Sequence, residues 1–244
     1  MRWGDRESDQ KGVRERHFEL HCDGRGVPGV LWTPSDASGP RPLILLGHGG
    51  TLHKLTGYVR AMARRFVRHH GFAAAAIDGP GHGDRRADEG LERQLGEREF
   101  EQIWARPHVT DETVADWQAT LDALEKQDDV GPGQVAYWGL SMGTIFGLPF
   151  VASEPRVEAA VLGLMGVTGP TAGRIARDAT RITCPVLFLQ QWHDELFPRA
   201  SSLTLFDLIA SREKSLHAHP GKHAAVPPAE MFASEAFLAA LLGS

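Results

Sequence analysis

The sequence has 244 residues, and its 31 acidic side chains outnumber its 26 lysine and arginine side chains, for a formal net charge of −5 at pH 7. This balance argues against nucleic acid or an anionic membrane as a partner, because proteins that bind them carry an excess of basic side chains. The chain has only two cysteines, Cys22 and Cys184, which are too few for a disulfide scaffold or a cysteine-rich metal site. Residues 1–10 are polar and lack the apolar core of a signal peptide. We therefore expect a cytoplasmic protein that forms a single domain over residues 1–244.

Short apolar runs alternate along the chain with segments of helical period. Residues 13–21 and 27–33 flank a Cys-Asp-Gly-Arg-Gly turn and predict an antiparallel hairpin at one sheet edge. Six later runs predict strands, most of them apolar enough to be covered on both faces, at residues 43–46, 73–77, 134–138, 159–164, 186–190 and 215–218. The alternation predicts an α/β fold, with a mostly parallel sheet and helices on both faces.

Helical periodicity predicts four helices between and after these strands. The first covers residues 55–70 and ends at Gly71, a residue that tolerates the left-handed conformation. The second covers residues 110–127, with Thr110 as its N-cap. A third begins at residue 144, and Pro149 is expected to kink it or end it early. The last covers residues 228–242.

Residues 84–112 interrupt this alternation. Nearly half of the segment is charged, yet apolar side chains recur at helical spacing, at Leu91, Leu95, Phe100, Ile103 and Trp104. We interpret the segment as a small helical lid inserted over the top of the sheet. A solvated surface helix with no role in the site is the alternative, because long connections are often but not always functional.

The strongest local signal is Gly139-Leu140-Ser141-Met142-Gly143, which fits the pattern Gly-x-Ser-x-Gly between a predicted strand and a predicted helix. A serine on so tight a turn needs glycines on both sides, because larger side chains would strike the adjacent strand and helix. Such a turn exposes the serine hydroxyl and presents the N–H groups of the following helix to a developing negative charge. The pattern also occurs by chance in glycine-rich turns.

A serine nucleophile needs a positioned base and an acid that orients the base. Asp194 follows the strand predicted at 186–190, and His223 lies in the loop before the last helix, so the chain order is Ser141, Asp194, His223. Glu195 is the rival for the acid, and it is a longer side chain one residue farther from the strand. His217 and His219 are rivals for the base.

His217, His219 and His223 could also be imagined as a metal cluster. The carboxylate or thiolate companions that a metal site needs are not arrayed around them in the sequence. We therefore expect neither a metal nor a cofactor.

Residues 47–51, here named the glycine loop, follow the first central strand and read Gly-His-Gly-Gly-Thr. Its backbone N–H groups can approach a ligand without hindrance, so the predicted oxyanion hole consists of the N–H groups of Gly50 and Met142. We expect His48 to be structural. Residues 78–85 form another glycine-rich stretch, without the Lys-Ser/Thr ending of a phosphate-binding loop, and we interpret it as a rigid turn before the lid.

Substrate-binding residues are predicted from their position beside these loops. His53 and Arg85, with Lys54 and Arg86, either rim the pocket and favour an anionic acyl compound or are solvated surface charges. Trp104 and Trp192, with Phe197, are candidates for an apolar wall, although aromatic residues near a core need no ligand.

Together these motifs resemble the α/β-hydrolase superfamily and, within it, the bacterial dienelactone-hydrolase-related serine esterases. The resemblance rests on HGG at 48–50, DGPGHGDR at 78–85, GLSMG at 139–143, the strand-end Asp194 and the late His223, and it extends from about residue 13 to the end. Dienelactone hydrolases proper use a cysteine nucleophile, so Ser141 points away from that particular reaction. Gln191 replaces the usual glycine of the acid loop, which bears on the shape of that loop.

The resemblance implies a cofactor-independent, two-step acyl transfer through Ser141, with His223 as base, Asp194 as its partner and Gly50 and Met142 as oxyanion donors. We expect a hydrolase acting on a carboxylic ester, lactone or thioester of a small molecule. A peptide or amide hydrolase and a non-catalytic binding protein with the same fold are the alternatives. An intact set of Ser141, Asp194 and His223 argues against the latter.

Overall fold

A computed structural model of the chain describes residues 1–36, 39–86 and 96–243. Leu91 and Leu95, two positions of the predicted lid face, lie outside the described residues. Within the described part, nine strands form one sheet: β1 Arg2–Gln10, β2 Val13–Cys22, β3 Arg25–Pro34, β4 Leu43–Gly47, β5 Ala73–Ile77, β6 Val135–Gly139, β7 Val157–Gly163, β8 Val186–Gln191 and β9 Lys214–His219.

The strands lie in the order β1-β2-β3-β5-β4-β6-β7-β8-β9. The pairs β1–β2, β2–β3 and β3–β5 are antiparallel. The five remaining pairs, from β5–β4 to β8–β9, are parallel. The central strands β4, β5 and β6 are buried along their whole length, as expected for continuously apolar runs covered on both faces. This arrangement confirms the predicted fold class and the predicted hairpin, which is extended outward by β1.

Seven α-helices flank the sheet in the described chain: α1 Gly57–His70, α2 Glu97–Trp104, α3 Val109–Leu124, α4 Met142–Ser153, α5 Ala172–Ala179, α6 Arg199–Leu208 and α7 Pro228–Leu242. Helices α1 and α7 share one hydrophobic core with one face of the sheet, and α3 to α6 share a second core with the other face. Helix α1 ends at Gly71, whose φ of 67° is left-handed, as predicted.

Three local predictions differ from the structure. Thr110 lies inside α3, and His108 occupies the N-cap position. Helix α4 does not end at Pro149 but continues to Ser153, because nearly all of it is buried between the sheet and its neighbouring helices. Helices α5 and α6 were not predicted, since both are short and their apolar faces are narrow.

None of the described helices combines the length and the apolar composition that crossing a lipid bilayer requires.

Candidate active site

Ser141 lies on a strained turn between β6 and α4. Its φ of 58° is positive, which is unfavourable for a residue with a side chain and is held in place by the surrounding packing. The flanking glycines leave no room for side chains. A Cβ on Gly139 would lie 2.7 Å from the Tyr137 hydroxyl, and one on Gly143 would lie 3.1 Å from the Gly47 carbonyl oxygen. The turn therefore requires the Gly-x-Ser-x-Gly pattern that the sequence shows.

Buried hydrogen bonds hold this turn against its neighbours. The Ser141 N–H donates to the Gly163 carbonyl at 3.0 Å, and the Gly163 N–H donates to the Thr144 hydroxyl at 2.8 Å. The Tyr137 hydroxyl donates to the Gly143 carbonyl at 2.7 Å. These bonds join the turn to β6 and β7, so the position of the serine hydroxyl is set by the sheet itself.

The structure brings Ser141, Asp194 and His223 into direct contact. The His223 Nε2 atom lies 2.9 Å from the Ser141 hydroxyl oxygen, and its Nδ1 atom lies 2.8 Å from Asp194 Oδ2. Only 1% of the Asp194 side chain is exposed. Asp194 and His223 are 29 residues apart, and His223 and Ser141 are 82 apart, so the contact depends on the fold and not on local structure.

The carboxylate of Asp194 is held ionised by its hydrogen bonds. Its Oδ1 atom accepts the backbone N–H groups of Leu196 at 2.8 Å and Phe197 at 2.9 Å. Burial is the largest influence and raises the pKa of Asp194, but the bonds from His223 and these two N–H groups outweigh it and keep the pKa below 3.8.

The rival residues have other partners. The Glu195 carboxylate accepts the backbone N–H of His223 at 2.9 Å and therefore holds the loop, not the ring. His217 and His219 contact the two oxygens of Glu230 on α7, at 2.8 and 2.7 Å.

On the other side of the serine, the glycine loop is tied to residues 78–85 by two buried histidines. The Gly79 N–H donates to His48 Nε2 at 2.9 Å, so the His48 Nδ1–H faces the Gly49 carbonyl. Burial, the largest influence, lowers the pKa of His48 well below 6.5 and keeps the ring neutral. His82 Nε2 lies 2.7 Å from the Gly50 carbonyl oxygen, which fixes the peptide between Gly50 and Thr51, and the His48 contact fixes the peptide between Gly49 and Gly50.

A buried ion pair, which the sequence did not reveal, lies beneath this loop. Lys54 is 1% exposed and Asp78 is 0% exposed, and the Lys54 ammonium contacts both Asp78 and Asp84. Asp78 also accepts the backbone N–H groups of Lys54 and Asp84, each at 2.9 Å. Lys54 is therefore not a solvated surface charge. The available signal was a carboxylate placed directly after the all-apolar strand β5.

Three further predicted site residues, Met142, His53 and Arg85, lie on separate parts of the fold. Met142 is the first residue of α4, where backbone N–H groups have no partner within the helix. His53 accepts the Leu55 N–H at 3.2 Å within the loop before α1. Arg85 pairs with Asp116 at 2.8 Å and lines a cavity of about 1040 Å³ beside the β1–β3 hairpin.

Trp104 and Trp192 differ in environment. Trp104 is 8% exposed, and its indole N–H donates to the Thr171 hydroxyl at 2.7 Å. Trp192 is 42% exposed, with the Arg199 guanidinium 4.2 Å from its ring centroid. Only Trp104 therefore belongs to a packed wall.

A continuous row of rings connects the glycine loop to the histidine beside the serine. Successive ring centroids are 6.1, 5.9, 6.4 and 5.4 Å apart along the row His82, Phe100, Trp104, Phe197 and His223. One end contacts the glycine loop and the other contacts the serine hydroxyl, so the row spans the turn that carries Ser141. Phe100 and Trp104 belong to α2, which places α2 beside this site.

Comparisons with known proteins identify esterases with a similar fold. The PEG-bound complex of a novel cold-adapted esterase from an Arctic intertidal metagenomic library is 44% identical, with a TM-score of 0.90 over 99% of this chain and 100% of that one. An acetyl xylan esterase from Paenibacillus sp. R4 is 18% identical, with a TM-score of 0.74 over 97% of this chain and 88% of that one. Ferulic-acid-bound Est1E from Butyrivibrio proteoclasticus is also 18% identical, with a TM-score of 0.71 over 93% of this chain and 100% of that one. The last two show the fold alone.

No curated protein matches the sequence significantly. The dienelactone hydrolase family, in contrast, matches residues 28–230, which include the glycine loop, the serine turn, Asp194 and His223. The chain belongs to the dienelactone hydrolase family, whose α/β-hydrolase fold it shares with these esterases.

Proposed function

We propose that the protein is a serine hydrolase that cleaves a carboxylic ester of a small molecule through an acyl-enzyme on Ser141. The observation that carries this proposal is the unbroken hydrogen-bond path from the Ser141 hydroxyl through His223 to the buried Asp194. The family and a 44% identical esterase support ester cleavage as the reaction. The two free cysteines are compatible with a reducing compartment, and we propose the cytoplasm.

In the proposed mechanism, Ser141 Oγ attacks the ester carbonyl while its proton passes to His223 Nε2. Asp194 accepts the Nδ1–H bond and stabilises the imidazolium. The carbonyl oxygen, now negative, is bound by the N–H groups of Gly50 and Met142. His223 then protonates the departing alcohol, and a water molecule, activated by the same ring, releases the carboxylic acid and restores the serine.

The ring row gives this site an apolar wall, and we assign Trp104 to its acyl side. Phe100 packs against Gly50 closely enough that a Cβ there would lie 3.1 Å from three ring atoms, so α2 closes directly over the glycine loop. A wall this close restricts acyl length. We therefore propose short-chain esters, and lactones or thioesters of similar size, as substrates.

Labelling with a fluorophosphonate probe tests the nucleophile. The purified protein is expected to be labelled stoichiometrically, and Ser141→Ala is expected to abolish labelling and ester hydrolysis. Ser153→Ala, at the end of the same helix, is the matched control and should be labelled normally. Labelling that persists in Ser141→Ala would refute the proposal. Hydrolysis of amides in preference to esters would assign the site to the amide-hydrolase alternative.

A substitution in the ring row tests the substrate assignment. Trp104→Leu removes the indole while keeping an apolar side chain. The ratio of kcat/KM for p-nitrophenyl hexanoate to that for p-nitrophenyl acetate is expected to rise at least about tenfold, the lower end of the discrimination that one methylene provides. Trp192→Ala, at the exposed tryptophan, should leave the ratio unchanged. An unchanged ratio in a folded Trp104→Leu protein would show that the acyl group lies elsewhere.

A further inference from the structure

Two histidines at the end of α1 meet a glutamate of α7 at a place that the proposed reaction does not use. Helix α1 starts after the carboxyl end of β4 and ends before the amino end of β5, so His69 and His70 lie at the opposite edge of the sheet from Ser141. Glu235 Oε1 lies 2.8 Å from His69 Nδ1 and 3.2 Å from His70 Nε2. All three ligand atoms lie within 4.8 Å of one another.

The donor set and its spacing suit a divalent transition metal. Zinc binds imidazole nitrogen and carboxylate oxygen at roughly 2.0–2.2 Å in a tetrahedral shell, which places neighbouring donor atoms about 3.3 Å apart. The two nitrogen–oxygen distances are already close to that value. Binding of an ion would therefore replace these two histidine–glutamate contacts by bonds from the same atoms to the metal.

The surroundings hold these ligands in place. The His70 ring packs between Phe66 and Phe72, with centroids 6.4 and 5.4 Å away. The second oxygen of Glu235 is bonded to Arg65, as outer partners of ligating carboxylates commonly are. The Glu235 side chain is only 4% exposed, whereas that of His69 is 48% exposed and leaves a path for an ion and for water ligands.

The position on α1 also favours a cation. His69 and His70 are the last two residues of the helix, where the unpaired carbonyl groups carry a partial negative charge. Arg65 opposes this effect, but its guanidinium is turned to the far oxygen of Glu235 and stacks 4.3 Å from the Phe232 ring centroid.

We propose that His69, His70 and Glu235 form a binding site for a divalent transition metal of the zinc type, which links α1 to α7. The site is structural, not catalytic. Glu235 is 166 residues from His69 and 165 residues from His70, so an ion would join helices that are distant in sequence. Binding releases or redistributes the protons on the ring nitrogens, and it therefore weakens on acidification.

The test titrates EDTA-treated, dialysed protein with ZnCl₂ by calorimetry and with CoCl₂ by visible absorption. We expect one ion per chain, and d–d bands of Co²⁺ in a nitrogen- and oxygen-ligated site. Zn²⁺ at one hundred times its Kd is expected to raise Tm by about 5–10 °C. Absence of heat, absorption bands and Tm shift at millimolar metal overturns the proposal.

Variants locate the ion. His69→Ala is expected to weaken Zn²⁺ binding at least about tenfold and so to reduce the Tm shift by at least about half, and Glu235→Gln is expected to do the same. Because Glu235→Gln also removes an ion pair with Arg65, the exposed His69 is the decisive position. His21→Ala, at an exposed histidine of β2, is the matched control and should bind as the parent does. Equal affinity in His69→Ala, or binding that is lost only in His223→Ala, overturns the proposal.

Discussion

The two sides of Ser141 are built differently. On the base side, defined by residues 194–197 and 221–223, Asp194 is buried but the adjoining Glu195 that holds the His223 backbone is exposed. On the glycine-loop side, defined by residues 47–54 and 78–85, four polar residues are at most 2% exposed: His48, Lys54, Asp78 and His82. In the proposed mechanism the His223 ring gains and loses a proton, and it is held by a few bonds near solvent. The glycine loop, which supplies the proposed oxyanion donor, is instead held by buried polar side chains.

The largest expected effect is on the base side. Asp194→Asn is expected to keep the fold and to lower kcat by about 10⁴-fold, as a triad acid does when replaced by its amide. The physical reason is that the amide no longer stabilises the imidazolium of His223. Steady-state kinetics with a p-nitrophenyl ester measure the loss, and circular dichroism checks the fold. Near-normal kcat in Asp194→Asn would contradict the assignment of this carboxylate.

The next largest effect is on stability at the glycine-loop side. Lys54→Met leaves the buried Asp78 carboxylate without its cation and is expected to lower the free energy of unfolding by about 3–5 kcal/mol. Asp84→Asn removes only the partner whose side chain is 41% exposed and should cost less than about 1 kcal/mol. Urea unfolding followed by tryptophan fluorescence compares the two. Equal losses would mean that the pair with the exposed Asp84, and not the buried Asp78, accounts for the effect of Lys54→Met.

The two sides of Ser141 are expected to lose their contributions to stability in different pH ranges. Because the pKa of His48 lies well below 6.5 in the folded protein, the unfolded chain binds a proton there first, and stability falls as the pH drops below 6.5. The pKa of Asp194 is lowered instead, so its contribution is present above pH 3.8 and is lost only as the pH falls through its lower folded value. The glycine-loop side is therefore the first to respond to acidification.

The measurement for this prediction is the free energy of unfolding at several values between pH 6.5 and 5. One buried neutral histidine contributes a slope of at most about 1.4 kcal/mol per pH unit, and His48→Gln is expected to remove that part of it. His21→Gln, at an exposed position, should leave the slope as it is. An unchanged slope in His48→Gln would show that this ring does not govern the acid response.

The smallest expected effect sharpens the distinction between neighbouring acids. Glu195→Gln keeps an oxygen that accepts the His223 N–H, on an exposed side chain, and is expected to change kcat by no more than about threefold. The same assay that measures Asp194→Asn applies. A loss comparable to that of Asp194→Asn would transfer the orienting role to Glu195.

Much of the central sheet could be predicted because its strands are continuous apolar runs. β5 was predicted at its observed bounds and β4, β6 and β8 to within one residue, since strands buried on both faces leave little choice of residue. The contact among Ser141, Asp194 and His223 could be predicted because each follows a separate strand, and the carboxyl ends of parallel strands meet at one edge.

Other features had a weak local signal or none. β1 was missed because its residues are polar, without an alternating apolar face. Lys54 and Asp78 lie 24 residues apart in loops, and a charged side chain in a loop is normally solvated, so their burial depends on packing that sequence patterns do not carry. Pro149 could not be judged from local propensity either, because burial of α4 outweighs it.

The polar composition of β1 has a consequence for the concentrated protein. β1 is the outermost strand at the antiparallel end of the order, and five of its nine residues are charged: Arg2, Asp5, Arg6, Glu7 and Asp9. An outermost strand offers backbone groups to which another chain can add, and charged side chains there make such addition costly. The charged side chains of β1, the strand hardest to recognise in the sequence, thus disfavour edge-to-edge pairing between the sheets of neighbouring molecules in concentrated solution.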